Sequence, residues 1–429
     1  MEAVAASGNP PGKTAVSSGS NRTELLLYFL MVLSGAAYFV WTGFYTRLFS
    51  VVDLDGFWAA GRVLNAGGNP YLPAAIAATH PGPIIPYYVY PPYVGPLFQL
   101  GALLSRGEMW LLWNTLSAIF AAIPLYLLAV RFCLPAKRSA LLVVLLFLFP
   151  ATGWEIAMGQ TDLLLLGALL FAVLLLESQA PFLAGILLCL LWIKPQVGLP
   201  FALAVIAVYP SRRILIMGFI CGTAGLFLPV LLFSRALFFD FLRADISFSH
   251  HVGGFTNLAS LLAYAEPIAG SSTFVASILR AAIFVFGFAL FAVCLLLVFR
   301  DTSSAGGQKV MQPDRAHDDP LVFPATERLG RLLLLGALWF LVSPYVYPND
   351  ELLLFPVFLL VMVRQPILLG RFRSAILALE AWLCMITVPS LFWWATWAQV
   401  GTVVAVAFLW QFLPRWPRSA SVKGTAGSL

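Results

Sequence analysis

Charged side chains are scarce in this chain. Asp, Glu, Lys and Arg make up 10% of its 429 residues against 61% apolar, and mean hydropathy is +0.90. Apolar runs this long belong in lipid rather than in one soluble core, so the chain reads as a polytopic membrane protein. Cysteine is also sparse. Cys133, Cys189, Cys221, Cys294 and Cys384 lie in or at the ends of hydrophobic segments, odd in number and without a CxxC pair. That pattern argues against a disulfide framework and a structural zinc site. Near the N-terminus there is no cleavable apolar core of the signal-peptide kind, and no internal repeat points to an inverted-repeat transporter. The net charge of +6 comes from Lys and Arg grouped between apolar runs, a topology signal rather than a nucleic-acid one.

Residues 1–23, rich in Gly, Ser, Ala and Pro, and residues 415–429 read as disordered cytoplasmic tails. Between them, 24–414 form the expected membrane domain, all-α with about twelve transmembrane helices. The runs are 25–45, 109–130, 139–153, 161–177, 181–194, 196–209, 213–233, 274–299, 330–343, 350–363, 373–391 and 396–413. The brief apolar stretch 94–104 is read as a juxtamembrane or re-entrant element. That choice puts Arg131, Lys137, Arg138, Arg212, Arg213, Arg364, Arg371, Arg373 and the linker loop 300–329 on the cytoplasmic side. The unusual polar segments then share the external face: 51–107, 154–161, Lys194-Pro195-Gln196, the loop 235–273, and 343–350.

Within 51–93 the sequence holds Asp53 and Asp55 just after the first apolar run. Phe57, Ala60 and Leu64 share a helical face that follows them, and Ala66-Gly67-Gly68-Asn69-Pro70 ends it. Asp55 reads either as the N-cap of that helix or as an acceptor-side carboxylate. Asp53 stands further out than a cap needs to and is the candidate general base. Two carboxylates alone leave most of a divalent cation's shell unfilled, so the DxD spacing is a weak metal signal and no metal or other cofactor is assigned.

The ordered series Asp53 with Phe57-Trp58-Ala59-Ala60-Gly61-Arg62, Gly67-Gly68-Asn69-Pro70-Tyr71, Tyr90-Pro91-Pro92, Gly159-Gln160-Thr161-Asp162, Lys194-Pro195-Gln196 and Ser343-Pro344 resembles glycosyltransferase family 87. It covers most of 25–365. The resemblance implies a GT-C fold and an inverting transfer of a hexose from a polyprenyl-phosphate donor, mannose in the best-known members. It also implies a catalytic Asp in the first external loop, here Asp53, and a lipid or glycan acceptor. Mannosyltransferase members carry histidines just after Ser-Pro, where this chain has Tyr345-Val346-Tyr347-Pro348-Asn349-Asp350, so sugar and acceptor stay open.

Such a transfer needs an oriented acceptor hydroxyl, a base, and positive charge for the departing phosphate. Lys194 is the sharpest phosphate candidate, because it lies at a predicted outer span end beside a helix-breaking proline; the alternative is a lysine snorkelling to headgroups. Arg62 is the second candidate, equally readable as an exposed helix arginine. Gln160, Asp162, Gln196, His250, His251, Tyr345, Tyr347 and Asp350, with Asp55, are expected around the sugar and acceptor. Helix capping and an interfacial aromatic belt compete for Asp162 and the tyrosines. An O-antigen-ligase-like transferase and a lipid or polysaccharide transporter are the competing functions.

Overall fold

The computed structural model describes residues 52–79, 88–249, 273–304, 322–343 and 348–368, with Val406 and Leu409. These residues are helical throughout, joined by turns. The helices are α1 Val52–Asn65, α2 Pro73–Thr79, α3 Gly95–Gly101, α4 Arg106–Arg131, α5 Ala136–Leu148, α6 Pro150–Met158, α7 Asp162–Glu177, α8 Pro181–Leu188, α9 Pro195–Val208, α10 Arg212–Phe233, α11 Arg235–Ser249, α12 Thr273–Ser304, α13 Val322–Val342 and α14 Val357–Leu368. Short 3-10 turns occupy Pro92–Val94, Cys189–Ile193 and Pro348–Leu354.

The expectation of about twelve spans is corrected here. Among the described residues three helices are long and apolar enough to cross a membrane: Arg106–Arg131, Arg212–Leu232 and Val285–Thr302. A fourth exists if the bent pair Ala136–Leu148 and Ala151–Met158 counts as one span. The predicted spans 25–45 and 373–391, and nearly all of 396–413, lie outside the described residues.

The physical reason is that apolar composition reports burial in protein as well as in lipid. Helix α7 is 16 residues of mostly Leu, Ala and Val. At 1.5 Å per residue it is about 24 Å long, short of a ~30 Å hydrocarbon core. It is apolar all round because protein surrounds it: Leu163, Leu165, Leu166, Leu169, Leu170 and Val173 are all fully or almost fully buried. Helices α8 and α9, of 8 and 14 residues, are separated by a 3-10 turn and Lys194. Helix α3, with 7 residues, is likewise far too short to cross.

Prolines set the breaks, and the carbonyls they orphan are recaptured. Pro150 cannot donate to Leu146, and the two halves of the α5–α6 pair meet at 59°. The Leu146 carbonyl instead accepts from the Thr152 hydroxyl at 2.5 Å. Pro200 inside α9 frees the Gln196 carbonyl in the same way, and the Trp339 indole on α13 donates to it at 2.8 Å. Gln196 is therefore tied by its backbone into the α9–α13 contact.

At one end of the molecule Glu177, the last residue of α7, gathers four helices. Arg328 of α13 pairs with its carboxylate at 2.8 Å, the Tyr209 hydroxyl after α9 donates to it at 2.9 Å, and Arg131 at the end of α4 donates to its carbonyl. Nearby, Arg212 at the start of α10 donates to Thr302 Oγ1 at 2.7 Å, and Thr302 donates to the Ala207 carbonyl at 2.9 Å. The basic ends of α4, α10 and α13 are thus collected on one face, opposite the end at which α7 begins.

Small residues bring the helices together. A Cβ on Gly218 of α10 would lie 2.1 Å from the Phe182 carbonyl oxygen of α8, and one on Gly185 would lie 2.2 Å from the Leu215 carbonyl oxygen. Backbone atoms cannot step aside alone, so two helices in such contact must separate to admit a methyl group. Gly218→Ala is expected to lower the thermal unfolding midpoint of the detergent-solubilised protein, at a cost of about 1–3 kcal/mol typical of overpacking. An unchanged midpoint would mean that the α8–α10 contact is looser than described.

Candidate functional site

The opposite end holds the polar residues. Helix α1 begins at Val52, so Asp53 and Asp55 both occupy its first turn, where the helix dipole favours a carboxylate. This replaces the expected helix start after Asp55 and removes its N-cap role. Two residues apart on a helix, the acids project about 200° from each other and find different partners. Asp55 is fully buried and pairs with Arg106 Nε at 2.5 Å at the start of α4. Asp53 turns toward α7, where Gln160 Nε2 donates to its Oδ2 at 2.6 Å. The two carboxylates do not converge on a shared ion, and among the described residues no group of three or more His, Cys, Asp or Glu side chains could hold a metal.

The turn that carries Gln160 is built tightly. Helix α6 ends on Gly159, whose φ of 66° is left-handed and whose amide closes onto the Glu155 carbonyl at 2.8 Å. A Cβ there would stand 2.6 Å from the Leu54 Cβ, so glycine also lets the turn touch the helix bearing Asp53. From α4, Trp110 and Asn114 donate to the Ile156 carbonyl at 3.2 and 3.3 Å, and Trp113 donates to the Gln160 carbonyl at 2.8 Å. The Tyr90 hydroxyl donates to Gln160 Oε1 at 2.7 Å. Phe57 stacks on Phe98 with centroids 4.5 Å apart and meets Tyr90 edge-on at 4.6 Å, closing an aromatic wall beside the carboxylate.

Behind this turn lies a buried charge cluster. Lys194 Nζ is 2.7 Å from Asp162 Oδ2 and 3.1 Å from Asp350 Oδ1, and the three side chains are 6%, 0% and 2% exposed. Glu155, also buried, accepts from the Leu163 amide at 3.1 Å. The ammonium thus joins the start of α7, the start of α9 and the 3-10 turn before α14. Its charge is already shared by two carboxylates.

Asp53 itself is half-buried. Burial pushes its carboxyl up to about 6, against the opposing pull of the Gln160 hydrogen bond and the nearby Lys194 charge; Asp162 adds to the rise. Such a group is largely ionised at neutral pH yet more basic than a free aspartate.

The structure therefore brings together Asp53, Gln160, Asp162, Lys194 and Asp350, places Asp55 on the far side of α1, and leaves the Gln196 side chain half-buried at the start of α9. Arg62 is exposed, with its guanidinium 4.9 Å over the Trp58 ring. His250, His251, Tyr345 and Tyr347 lie outside the described residues. Two residues given no role from sequence belong here, Tyr90 and Glu155; Arg106, likewise unassigned, lies with Asp55 on the far side of α1. Glu155 carried a readable signal, being a lone acid in an apolar stretch. The signal for Tyr90 was its place in the Tyr-Pro-Pro series.

The sequence model of glycosyltransferase family 87 matches residues 88–309, just over half of the chain. No curated protein and no solved structure matches it.

Removing Lys194 would strand two buried carboxylates. Lys194→Met is expected to destabilise the protein by about 3–5 kcal/mol, the usual cost of breaking a buried pair. Adding Asp162→Asn and Asp350→Asn to that variant is expected to recover part of the loss in a thermal melt. If Lys194→Met melts like the parent protein, the cluster is not the brace described.

Proposed function

The chain belongs to glycosyltransferase family 87, and on that premise we propose that it transfers one hexose, mannose-like, from a polyprenyl-phosphate donor to a lipid or glycan acceptor on the external face of the membrane, inverting the anomeric centre. Membership puts it among the membrane-embedded transferases of the GT-C superfamily, and its apolar helices are those of a multi-pass protein. In a single displacement the acceptor oxygen bonds to C1 as the bond from C1 to the phosphate oxygen breaks. The hydroxyl proton passes to Asp53, and the electron pair leaves with polyprenyl phosphate.

The observation that carries this reading is the Asp53 carboxylate, held by Gln160 through one oxygen and raised in basicity by burial. A base whose pKa approaches the working pH takes a proton most effectively while staying in its active form. Lys194 serves in this reading as the brace of the site and a source of positive field, since Asp162 and Asp350 share its charge. Lys194 and Arg62, which is exposed in the last turn of the Asp53 helix, remain the proposed residues for the donor phosphate. Asp55, Gln196, His250, His251, Tyr345 and Tyr347 remain proposed acceptor-side residues.

The catalytic domain in this reading is 24–414, with 51–107 and 235–273 external and 300–329 cytoplasmic. Arginines gathered around Glu177 support that orientation, because basic residues favour the cytoplasmic side.

Asp53→Asn keeps the shape of the side chain but removes the base. With purified protein and polyprenyl-phosphate mannose, transfer is expected to fall by about 10²–10⁴-fold while donor binding holds. Normal turnover would sink the assignment.

The pH profile follows from the raised pKa. Below about 6 Asp53 is protonated and cannot accept, so kcat/KM should fall about tenfold per pH unit on the acid side and level off above pH 7. A profile flat from pH 5 to 8 would contradict it. A reporter fused at Pro135 should read cytoplasmic, and an external signal would reverse the orientation.

A further inference from the structure

The Tyr90 hydroxyl hydrogen-bonds Gln160, which in turn hydrogen-bonds Asp53, and the chemistry of a carboxamide makes that link directional; Asp53, Lys194, Asp162 and Thr161 also lie near the Tyr90 hydroxyl. One side of the Gln160 amide donates and the other accepts. An ionised carboxylate can only accept, so the Nε2 side must face Asp53; reversed, Oε1 would set lone pairs against lone pairs. The side chain can hold the required orientation only if a donor stands at Oε1. The Tyr90 hydroxyl is that donor, at 2.7 Å, and Gln160 in turn stands 2.6 Å from Asp53 Oδ2.

We propose that Tyr90 is a positioning residue which locks the Gln160 carboxamide and, through it, holds Asp53 ionised with Oδ1 turned to the acceptor hydroxyl. This rests on Asp53 being the base. Among the described residues nothing is bonded to Oδ1.

Every part of the relay is fixed from outside. The Gln160 carbonyl is held by the Trp113 indole at 2.8 Å, and the Tyr90 carbonyl by the Tyr71 hydroxyl at 2.7 Å. The Tyr90 ring is clamped edge-on by Phe57 and by Phe98, at 4.6 and 6.1 Å between centroids. A phenol fixed in this way has no rotamer freedom to spend on the hydrogen bond. That arrangement distinguishes an orienting hydroxyl from a tyrosine that only fills space. The other titratable groups that act on Asp53 are Lys194, which favours its ionised form, and Asp162, which opposes it. Asp55 and Arg106 lie on the far side of α1, and Glu155 and Asp350 adjoin Asp162.

The test is a set of four variants, Asp53→Asn, Tyr90→Phe, Gln160→Leu and the double Tyr90→Phe/Gln160→Leu, compared by kcat and by the pH dependence of kcat/KM with the same donor and acceptor. Tyr90→Phe keeps the ring packing, so it should lower kcat at pH 7 by about 2–10-fold, the worth of one neutral hydrogen bond. It should also move the acid limb to higher pH. Gln160→Leu removes the charge-assisted bond and should cost about 10–100-fold, with a larger shift in the same direction.

Because Tyr90 acts through Gln160, the double variant should be no slower than Gln160→Leu alone. Additive losses, or a slower Tyr90→Phe whose acid limb is unmoved, would reduce Tyr90 to a packing residue and overturn the proposal. Gln160→Asn, whose carboxamide stops short of Asp53, covers the case in which Gln160→Leu fails to fold, and its limb must also move up. Full activity in Asp53→Asn would refute the base itself. An inactive Asp53→Asn beside an unmoved limb in Tyr90→Phe would refute only the relay.

Discussion

The ion pairs of Lys194 with Asp162 and Asp350 are the constraint on which the polar end of this protein depends. Burying an ammonium and its carboxylates carries a desolvation cost of several kcal/mol per ion, repaid only by close geometry and further hydrogen bonds. The three side chains are almost wholly buried, with contacts of 2.7 and 3.1 Å. They come from positions as far apart as 162 and 350. Such a cluster does little for net stability compared with apolar packing. What it does is fix relative placement, because any slip of α7, α9 or the turn before α14 would expose an unpaired charge to an apolar interior.

That fixed placement is passed to the proposed base over a very short path. Asp162 opens α7, and Gln160 sits two residues before it on the turn closed by Gly159. The turn contacts Leu54 on α1, so the brace, the turn and the aspartate-bearing helix form one packed unit. Loops tend to be the mobile parts of a protein, yet this one has its carbonyls capped from α4 and its side chain held from both sides. In these surroundings the Asp53 carboxylate is held through Oδ2 by Gln160.

Legibility followed physical range. Asp53 stands out in sequence because it lies further out than a helix cap needs to, and Lys194 because it lies beside a helix-breaking proline at the end of an apolar run. The ion pairs could not be read there: Asp162 and Asp350 were both expected near the site, but they are 32 and 156 residues from Lys194 and nothing local pairs them with it. From sequence Lys194 is a candidate cation for the donor phosphate, and the fold adds two carboxylates beside it. Asp55 shows the same limit: from sequence it is a helix cap or an acceptor-side carboxylate, whereas in the fold its partner is Arg106 at the start of another helix. The count of about twelve spans failed for a related reason. Hydropathy cannot separate α7, sheathed in protein, from α4, which has the length to cross a bilayer.

By itself the sequence determined the all-helical membrane character of the chain, the family and the polar stretches between its apolar runs. Each of these depends on composition or on residues near one another along the chain. Only the tertiary structure decided which helices are long enough to span, which charges are neutralised and which hydroxyl meets Gln160. Those are matters of distance between segments far apart in sequence, and they are set when the helices pack. In that packing Asp53 and Asp55, alike in composition and two residues apart, are turned to opposite sides of one helix and given different surroundings.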